Sequence, residues 1–121
     1  MADRLLFVTW NIPARGMEER AVEVFNDAVG ILGRRQQEGK IESFDVSLFA
    51  PTGDIGGFMI AKGSAEQITA LRNTDEEFMR NTVDAELCVD GIRHIEGVCG
   101  NGIAEQMQLY TDAISRLPQH A

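Results

Sequence analysis

The spacing at which hydrophobic residues recur changes several times along the chain, and each change predicts a new helix or strand. Residues 4–12 are rich in aliphatic and aromatic side chains and stop before Pro13, which predicts a first strand. From Met17 a helical stripe follows, with apolar residues spaced three and four apart until Gly39 ends it. The chain is therefore predicted to begin with a strand and a long helix.

The next segment predicts a hairpin. Polar and apolar residues alternate over residues 41–49, which places Ser43, Asp45 and Ser47 on one face of a second strand. A turn rich in glycine follows, and residues 57–63 then form another apolar run. Two such runs joined by a turn predict an antiparallel pair of strands.

The second half of the chain predicts a broken helix, a strand and a last helix. Ser64 and Thr74 each stand three residues before Gln or Glu, and these two capping boxes predict a helix that breaks near Asn73 and restarts. Residues 86–99 are predicted as the fourth strand. A final apolar stripe at helical spacing predicts a helix that packs inward and ends at Pro118. Its members are Ile103, Met107, Tyr110, Ile114 and Leu117.

The predicted order is therefore β-α-β-β-α-β-α. No linker and no low-complexity stretch interrupts it, so we expect residues 1–121 to form a single domain. This order predicts an α+β fold of the ferredoxin-like type, an antiparallel βαββαβ sheet with helices on one face and an added C-terminal helix.

The sheet face without helices is predicted to be half apolar. On strand four, Ile95, Gly97 and Cys99 are expected to face the helices, so that His94 and Glu96 face the open side together with Ile92 and Val98. A half-apolar face is rarely left in water. We therefore predict a homodimer in which two sheets cover each other.

Strand one allows two orientations. In the first, Phe7, Thr9 and Asn11 share the open face, and Trp10 lies under the helices with Leu6 and Val8. The opposite parity places Trp10 on the open face.

The element order, the chain length, the long first helix, the hairpin, the broken second helix and the added last helix together resemble the dimeric α+β barrel superfamily. The resemblance covers nearly the whole chain and rests on layout, without a sequence motif. It implies a homodimer and a pocket between the sheet and the helices, or inside the barrel, for a small apolar or aromatic ligand. The superfamily includes cofactor-independent monooxygenases, haem-degrading enzymes, chlorite-dismutase relatives and small-molecule isomerases.

Charge and composition exclude several classes of protein. The formal net charge is −8, which repels nucleic acid. Two cysteines do not make a disulfide framework, so we expect reduced thiols in a cytoplasmic protein. No apolar run is long enough to span a membrane, and the N-terminal run does not have the form of a signal peptide.

The candidate catalytic residues lie around strand four. His94 and Glu96 are two residues apart and so share a face, where a neutral imidazole beside a carboxylate could act as a general base. Asn11 or Arg93 is the candidate electrophilic partner. The alternative is an ion pair that is exposed or lies in the dimer interface and carries no chemistry.

The candidate pocket residues come from several elements. Asp45 and Ser47 of the partner's second strand could approach His94, and Phe7, Thr9, Trp10 and Tyr110 could line the same pocket. Oxygenases of the superfamily that lack a cofactor use Asn, Trp, His, Tyr or Arg to hold a reactive carbanion near oxygen, and these residue types are present here. The alternative is that Trp10 and Tyr110 are simple core residues.

No metal site and no cofactor are predicted. Cys88 and His94 would be about 20 Å apart on an extended strand, too far for one ion. The His-x-Glu of residues 94–96 lacks the cysteine pair of the zinc deaminases. Three functions remain open: small-molecule binding without chemistry, a cofactor-independent monooxygenase or isomerase that uses His94 and Glu96, and haem binding through His94.

Overall fold

The computed structural model describes residues 2–118, which form one four-stranded antiparallel sheet and four helices. The elements are β1 (Arg4–Trp10), α1 (Glu18–Gln37), β2 (Ser43–Leu48), β3 (Gly57–Gly63), α2 (Ala65–Asn73), α3 (Glu76–Cys88), β4 (Arg93–Val98) and α4 (Gly102–Ser115). The strand order is β2-β3-β1-β4. The predicted α+β fold and element order are confirmed, with the second helix divided into α2 and α3.

The fourth strand is shorter than predicted, because residues 86–88 belong to α3. Ala85 and Cys88 are one helical turn apart, and both are buried against Ala21 and Val24 of α1. This helix contact outweighs the local β propensity of the segment. Gly91, with a φ of 68°, then turns the chain into β4.

Both predicted helix starts exist, but one lies a residue later. The capping box at Ser64 is confirmed: its hydroxyl accepts a hydrogen bond from the Gln67 amide at 3.1 Å, and the Gln67 side chain accepts one from the Ser64 amide at 2.8 Å. The prediction that Thr74 caps the second helix segment was wrong by one residue. Asp75, and not Thr74, caps α3 by accepting a hydrogen bond from the Phe78 amide at 3.1 Å.

The main hydrophobic core lies between the sheet and helices α1, α2 and α3. Leu6 and Val8 of β1 are buried in it, which confirms the orientation of strand one that puts Trp10 on the helix side. The other buried members are Ala28, Ile31, Leu32, Ile41, Met59, Ala61, Ile68, Leu71 and Phe78.

The predicted orientation of strand four was wrong. His94 pairs with Val8 and Glu96 with Leu6 in the β1–β4 register, and residues opposite each other in neighbouring strands share a face. His94 and Glu96 therefore lie on the helix side, whereas Ile95 faces the open side and is 49% exposed. Either parity of this strand mixes polar and apolar residues, so its alternation could not decide the orientation.

The face opposite the helices is called the open sheet face below. The placement of Ser43, Asp45 and Ser47 on this face is confirmed. Its aromatic residues Phe7 and Phe58 stack with ring centroids 5.7 Å apart. The full set is Leu5, Phe7, Thr9, Ser43, Asp45, Ser47, Phe58, Ile60, Lys62, Arg93, Ile95 and Gly97.

The last helix does not pack inward as predicted. Every member of its apolar stripe is more than half exposed, and Tyr110 is 57% exposed. Helix α4 follows the end of β4 and is held there by its first turn, where Arg4 and Glu105 form an ion pair of 3.5 Å. The expectation that Tyr110 is a core residue of this chain is therefore wrong.

An ion pair connects the end of α1 to the start of α3. The guanidinium of Arg35 donates from Nε to Asp75 Oδ2 at 2.6 Å and from Nη2 to Asp75 Oδ1 at 3.1 Å. Both side chains are largely buried, at 12% and 14% exposure, and Glu77 accepts a further bond from Arg35 at 2.7 Å. The bidentate geometry makes this contact stronger than a surface pair.

We expect Asp75→Ala to lower the free energy of unfolding by about 2–3 kcal/mol, because it removes both the helix cap and the partner of a largely buried guanidinium. The hydrogen bond from Arg35 lowers the pKa of Asp75 below its usual 3.8. Since the folded pKa is the lower one, the stabilisation is complete above the unfolded pKa and is lost as the pH falls through the folded pKa. Urea denaturation at pH 7 measures the loss.

Asp84→Ala is the matched control, since Asp84 lies on the same helix and pairs with the exposed Arg20 at 3.2 Å. Its loss is expected to be much smaller. Equal losses in the two variants would contradict a structural role for the Arg35–Asp75 pair.

Candidate ligand-binding site

A cavity of about 390 Å³ lies between the sheet and helices α1 and α3. Its size falls within the range of small-molecule pockets. Val8 and Trp10 contribute from β1, Met59 from β3, His94 from β4, and both helices contribute apolar side chains. None of the lining residues carries an acidic or basic side chain other than the imidazole.

Two aromatic pairs connect the sheet to the helices around this cavity. Trp10 meets Phe25 of α1 edge to face, with ring centroids 5.8 Å apart. His94 meets Phe78 of α3 in the same manner at 6.4 Å. The helix residues between these bulky pairs include Ala28 and, on α3, Ala85, whose small side chains leave the space open.

The polar groups of the lining are few. Asn81 donates its side-chain amide to the Val24 carbonyl at 3.1 Å and so ties α3 to α1. The imidazole of His94 has no hydrogen-bonding partner within residues 2–118. Asn26 also lines the cavity but is exposed, and Trp10 contributes an indole N–H. Among these groups the half-buried imidazole of His94 offers a ligand both a donor and an acceptor.

Burial is the main cause that lowers the pKa of His94 below its ordinary value near 6.5. The positive charge of Arg72 lowers this pKa further, and the negative charge of Glu86 opposes the shift. At pH 7 the imidazole is accordingly neutral, with one nitrogen as acceptor and one as donor.

Glu96 does not orient the histidine. Its carboxylate lies 3.6 Å from the guanidinium of Arg72 in α2, and within residues 2–118 no hydrogen bond joins it to His94. The expected His94–Glu96 pair is therefore replaced by an ion pair between Glu96 and Arg72 beside the histidine.

The predicted site residues fall into five places. His94 and Trp10 line the cavity, although they are far apart in sequence, because β1 and β4 are neighbours in the sheet. Asn11 follows β1 and lies against Gly91, where an added Cβ would collide with its amide. Glu96 lies beside the cavity, and Tyr110 is on α4. The others are on the open sheet face, on the far side of the sheet from His94: Arg93, Phe7, Thr9, Asp45 and Ser47.

Several lining residues were not singled out by sequence. Phe25 and Phe78 stand on apolar helix faces, and their pattern predicts burial without indicating a cavity. Asn81 had a usable signal in the sequence, since this polar residue stands three positions after Phe78 and four before Ala85, on the helix face that these two apolar residues mark as inward.

The described residues were also compared with the requirements of metal sites, disulfides and membrane-spanning helices. Residues 2–118 hold no group of three or more His, Cys, Asp or Glu placed to bind a metal ion. Cys88 is buried in α3, which raises the pKa of its thiol, and neither it nor Cys99 is in a disulfide. No helix within residues 2–118 has the length and hydrophobicity needed to cross a membrane.

Comparison with known proteins shows similarity of structure without similarity of sequence. No family model matches the chain, and no curated protein matches it. A dimeric protein of unknown function and ferredoxin-like fold from Bacteroides fragilis superposes with a TM-score of 0.62 at 10% identity, covering 82% of this chain and 98% of that one. A dimeric ferredoxin-like protein from an uncultured marine organism gives 0.60 at 14% identity, over 84% and 90%.

A third solved structure comes from Chloroflexus aurantiacus and is named for a suggested antibiotic biosynthesis monooxygenase activity. It superposes with a TM-score of 0.55 at 11% identity, covering 82% of this chain and 95% of that chain. At these identities the similarity shows the fold. The predicted resemblance is thus confirmed at the level of the ferredoxin-like α+β fold.

We expect His94 to titrate below 6.5, because its protonated form is disfavoured by burial and by Arg72. Since the unfolded chain binds the proton more readily, stability is full above pH 6.5 and falls as the pH drops towards the folded pKa. Proton NMR of the imidazole ring, followed across the pH range, measures the folded pKa.

Two variants complete the titration. His120→Gln removes the second histidine, which lies outside the described residues, and so assigns the signal of His94. Arg72→Gln removes the neighbouring positive charge and should move the pKa of His94 upwards. A pKa at or above 6.5 in the unaltered protein would contradict the buried placement of the ring.

Proposed function

We propose that this protein is a homodimer that binds a small, uncharged and mainly apolar molecule between its sheet and helices α1 and α3. The observation that carries the proposal is the apolar cavity of about 390 Å³ with one unpaired, neutral imidazole, that of His94, in its wall. Aromatic molecules suit it best, since Trp10, Phe25 and Phe78 supply aromatic surfaces.

The absence of acidic and basic side chains in the lining supports an uncharged ligand. A charged ligand would lose its hydration in this cavity and find no opposite charge among the lining residues. An uncharged molecule with one hydroxyl or carbonyl group could form a hydrogen bond with His94 and place its remaining surface against the apolar wall. That single polar contact would set the orientation of the ligand.

The homodimer is supported by the open sheet face and by the solved structures. Leu5, Phe7, Phe58, Ile60 and Ile95 place apolar surface on the sheet face that has no helices. Two of the similar structures are described as dimeric. A two-fold contact between open sheet faces would remove this surface from water.

A second candidate is a cofactor-independent monooxygenase or isomerase. The observation that favours it is the neutral imidazole of His94 inside an apolar cavity, where it could remove a proton from an acidic carbon of a substrate. The name of the Chloroflexus aurantiacus structure agrees with such chemistry. Binding without chemistry is the better supported function, because Asn11 and Arg93, the expected electrophilic partners, are absent from the cavity lining.

Haem binding is the least supported alternative. His94 could serve as an axial ligand, but haem carries two propionates, and no Lys or Arg lines the cavity to pair with them. The residues present do not fit this group.

As part of the proposal we place the protein in a reducing compartment, the cytoplasm, which the two unpaired cysteines support.

The intrinsic fluorescence of Trp10 tests the proposal, because it is the only tryptophan of the chain and it lines the cavity. We expect 2-naphthol to quench this fluorescence saturably at pH 7 and 2-naphthoate to bind at least about tenfold more weakly, because the carboxylate has no counter-charge. Replacing His94 by Phe should weaken 2-naphthol binding about fivefold and leave naphthalene binding nearly unchanged.

Asp45→Ala is the matched control, since Asp45 lies on the opposite face of the sheet, and it should not change either affinity in the protein as purified. Equal binding of naphthol and naphthoate, or no saturable quenching by any of the three compounds, would contradict the proposal. Oxygen consumption with these compounds, lost in His94→Phe while the circular dichroism spectrum is kept, would favour the enzyme.

A further inference from the structure

Helix α4 exposes an apolar stripe for which the rest of the described chain offers no cover. Five residues at helical spacing form it, and each is more than half exposed. Ile103, Met107, Tyr110 and Ile114 lie in α4, and Leu117 follows just after the helix ends at Ser115. Single exposed apolar residues are ordinary, but a continuous stripe along a whole helix marks an interaction surface.

The helix is also too short to be stable on its own. It has 14 residues, a length of about 21 Å, and helices of this size are marginal in water without packing. Its contacts with the described chain lie near its start, where buried Gly102 lies against Asp3, Glu105 pairs with Arg4 and Gln106 is half-buried. Beyond Gln106, tertiary packing of the exposed stripe requires a surface outside the described chain.

The charge of the helix argues against a lipid surface as that partner. It carries the acidic residues Glu105 and Asp112, the one basic residue of the segment is Arg116 at its C-cap, and the chain as a whole carries a formal charge of −8. Helices that lie on membranes are rich in Lys and Arg, because lipid surfaces are usually anionic. An apolar protein surface is the better match.

We propose that α4 is a dimerisation arm, whose apolar stripe packs on a second copy of this chain beside the open sheet face. This inference rests on the proposed homodimer and adds a second, separate contact to it. Three residues separate β4 from helix α4, and β4 is an edge strand of the sheet, so α4 begins at the edge where the open sheet face ends.

The number of residues that a stable interface needs also supports a second copy of the chain as the partner of α4. The open sheet face offers three positions on each of four strands, which makes twelve residues. A standard interface uses about 20–30 residues on each side. The stripe on α4 brings the count closer to that number, and two-fold symmetry places an arm from each copy in the assembly.

Sedimentation equilibrium of the full chain tests the proposal with the double variant Met107→Gln and Ile114→Gln. Gln keeps a helix propensity close to that of Met, so the change acts mainly on the stripe. Two apolar side chains are lost from each copy and four from the dimer. We expect the dissociation constant of the dimer to rise about a hundredfold or more.

The matched control is Leu109→Gln on the same helix. Leu109 is 65% exposed, but it points about 120° away from the centre of the stripe, so its replacement should change the dissociation constant less than about threefold. A double variant that dimerises like the unaltered protein would contradict the role of α4 as a dimerisation arm, and the proposed homodimer would be unaffected. An unaltered protein that is monomeric at every concentration would overturn both, whereas the Trp10 titration reports on ligand binding separately.

Hydrogen exchange of the unaltered protein gives an independent answer that needs no variant. If α4 packs on a second copy, its backbone amides exchange slowly above the dissociation constant of the dimer and quickly below it. Fast exchange of α4 in the dimer would overturn the proposal.

Discussion

The antiparallel register of β1 with β4 is the constraint on which the candidate site depends. It sets His94 opposite the buried Val8, and so directs the imidazole towards the helices and into the cavity. A shift of one residue would exchange the two faces of β4 and place Ile95 under the helices. The register also brings His94 into one cavity with Trp10, although most of the chain separates them in sequence.

The chemistry of the site follows from this burial. On the helix side, His94 meets the ring of Phe78 and the field of Arg72, and both burial and charge keep it neutral. Glu96 shares that side but is neutralised by Arg72, so the histidine has no carboxylate partner to orient it. A neutral, unpaired imidazole in an apolar wall suits recognition of an uncharged ligand, and its use as a base would depend on the substrate.

The two sides of the sheet present different surfaces. The helix side contains the core and the cavity, whereas the open sheet face and α4 present apolar surface outwards. Helix α4 begins beside β4, which is an edge strand of the open sheet face. In the proposed homodimer, association of two copies would cover both outward surfaces together and leave the cavity free for the proposed ligand.

The sequence by itself determined the elements and their order, because periodicity, caps and turn residues act within a few neighbours. The α1 stripe, the alternation of β2 and the Ser64 capping box each had a single consistent interpretation, and the fold followed from their order. Only the tertiary structure decided the orientation of β4, the end of α3 at Cys88 and the environment of Tyr110. Either parity of β4 mixes polar and apolar residues, and an apolar stripe shows that a helix needs a partner without showing which one. Those choices depend on contacts between residues far apart in the chain, which local patterns do not record.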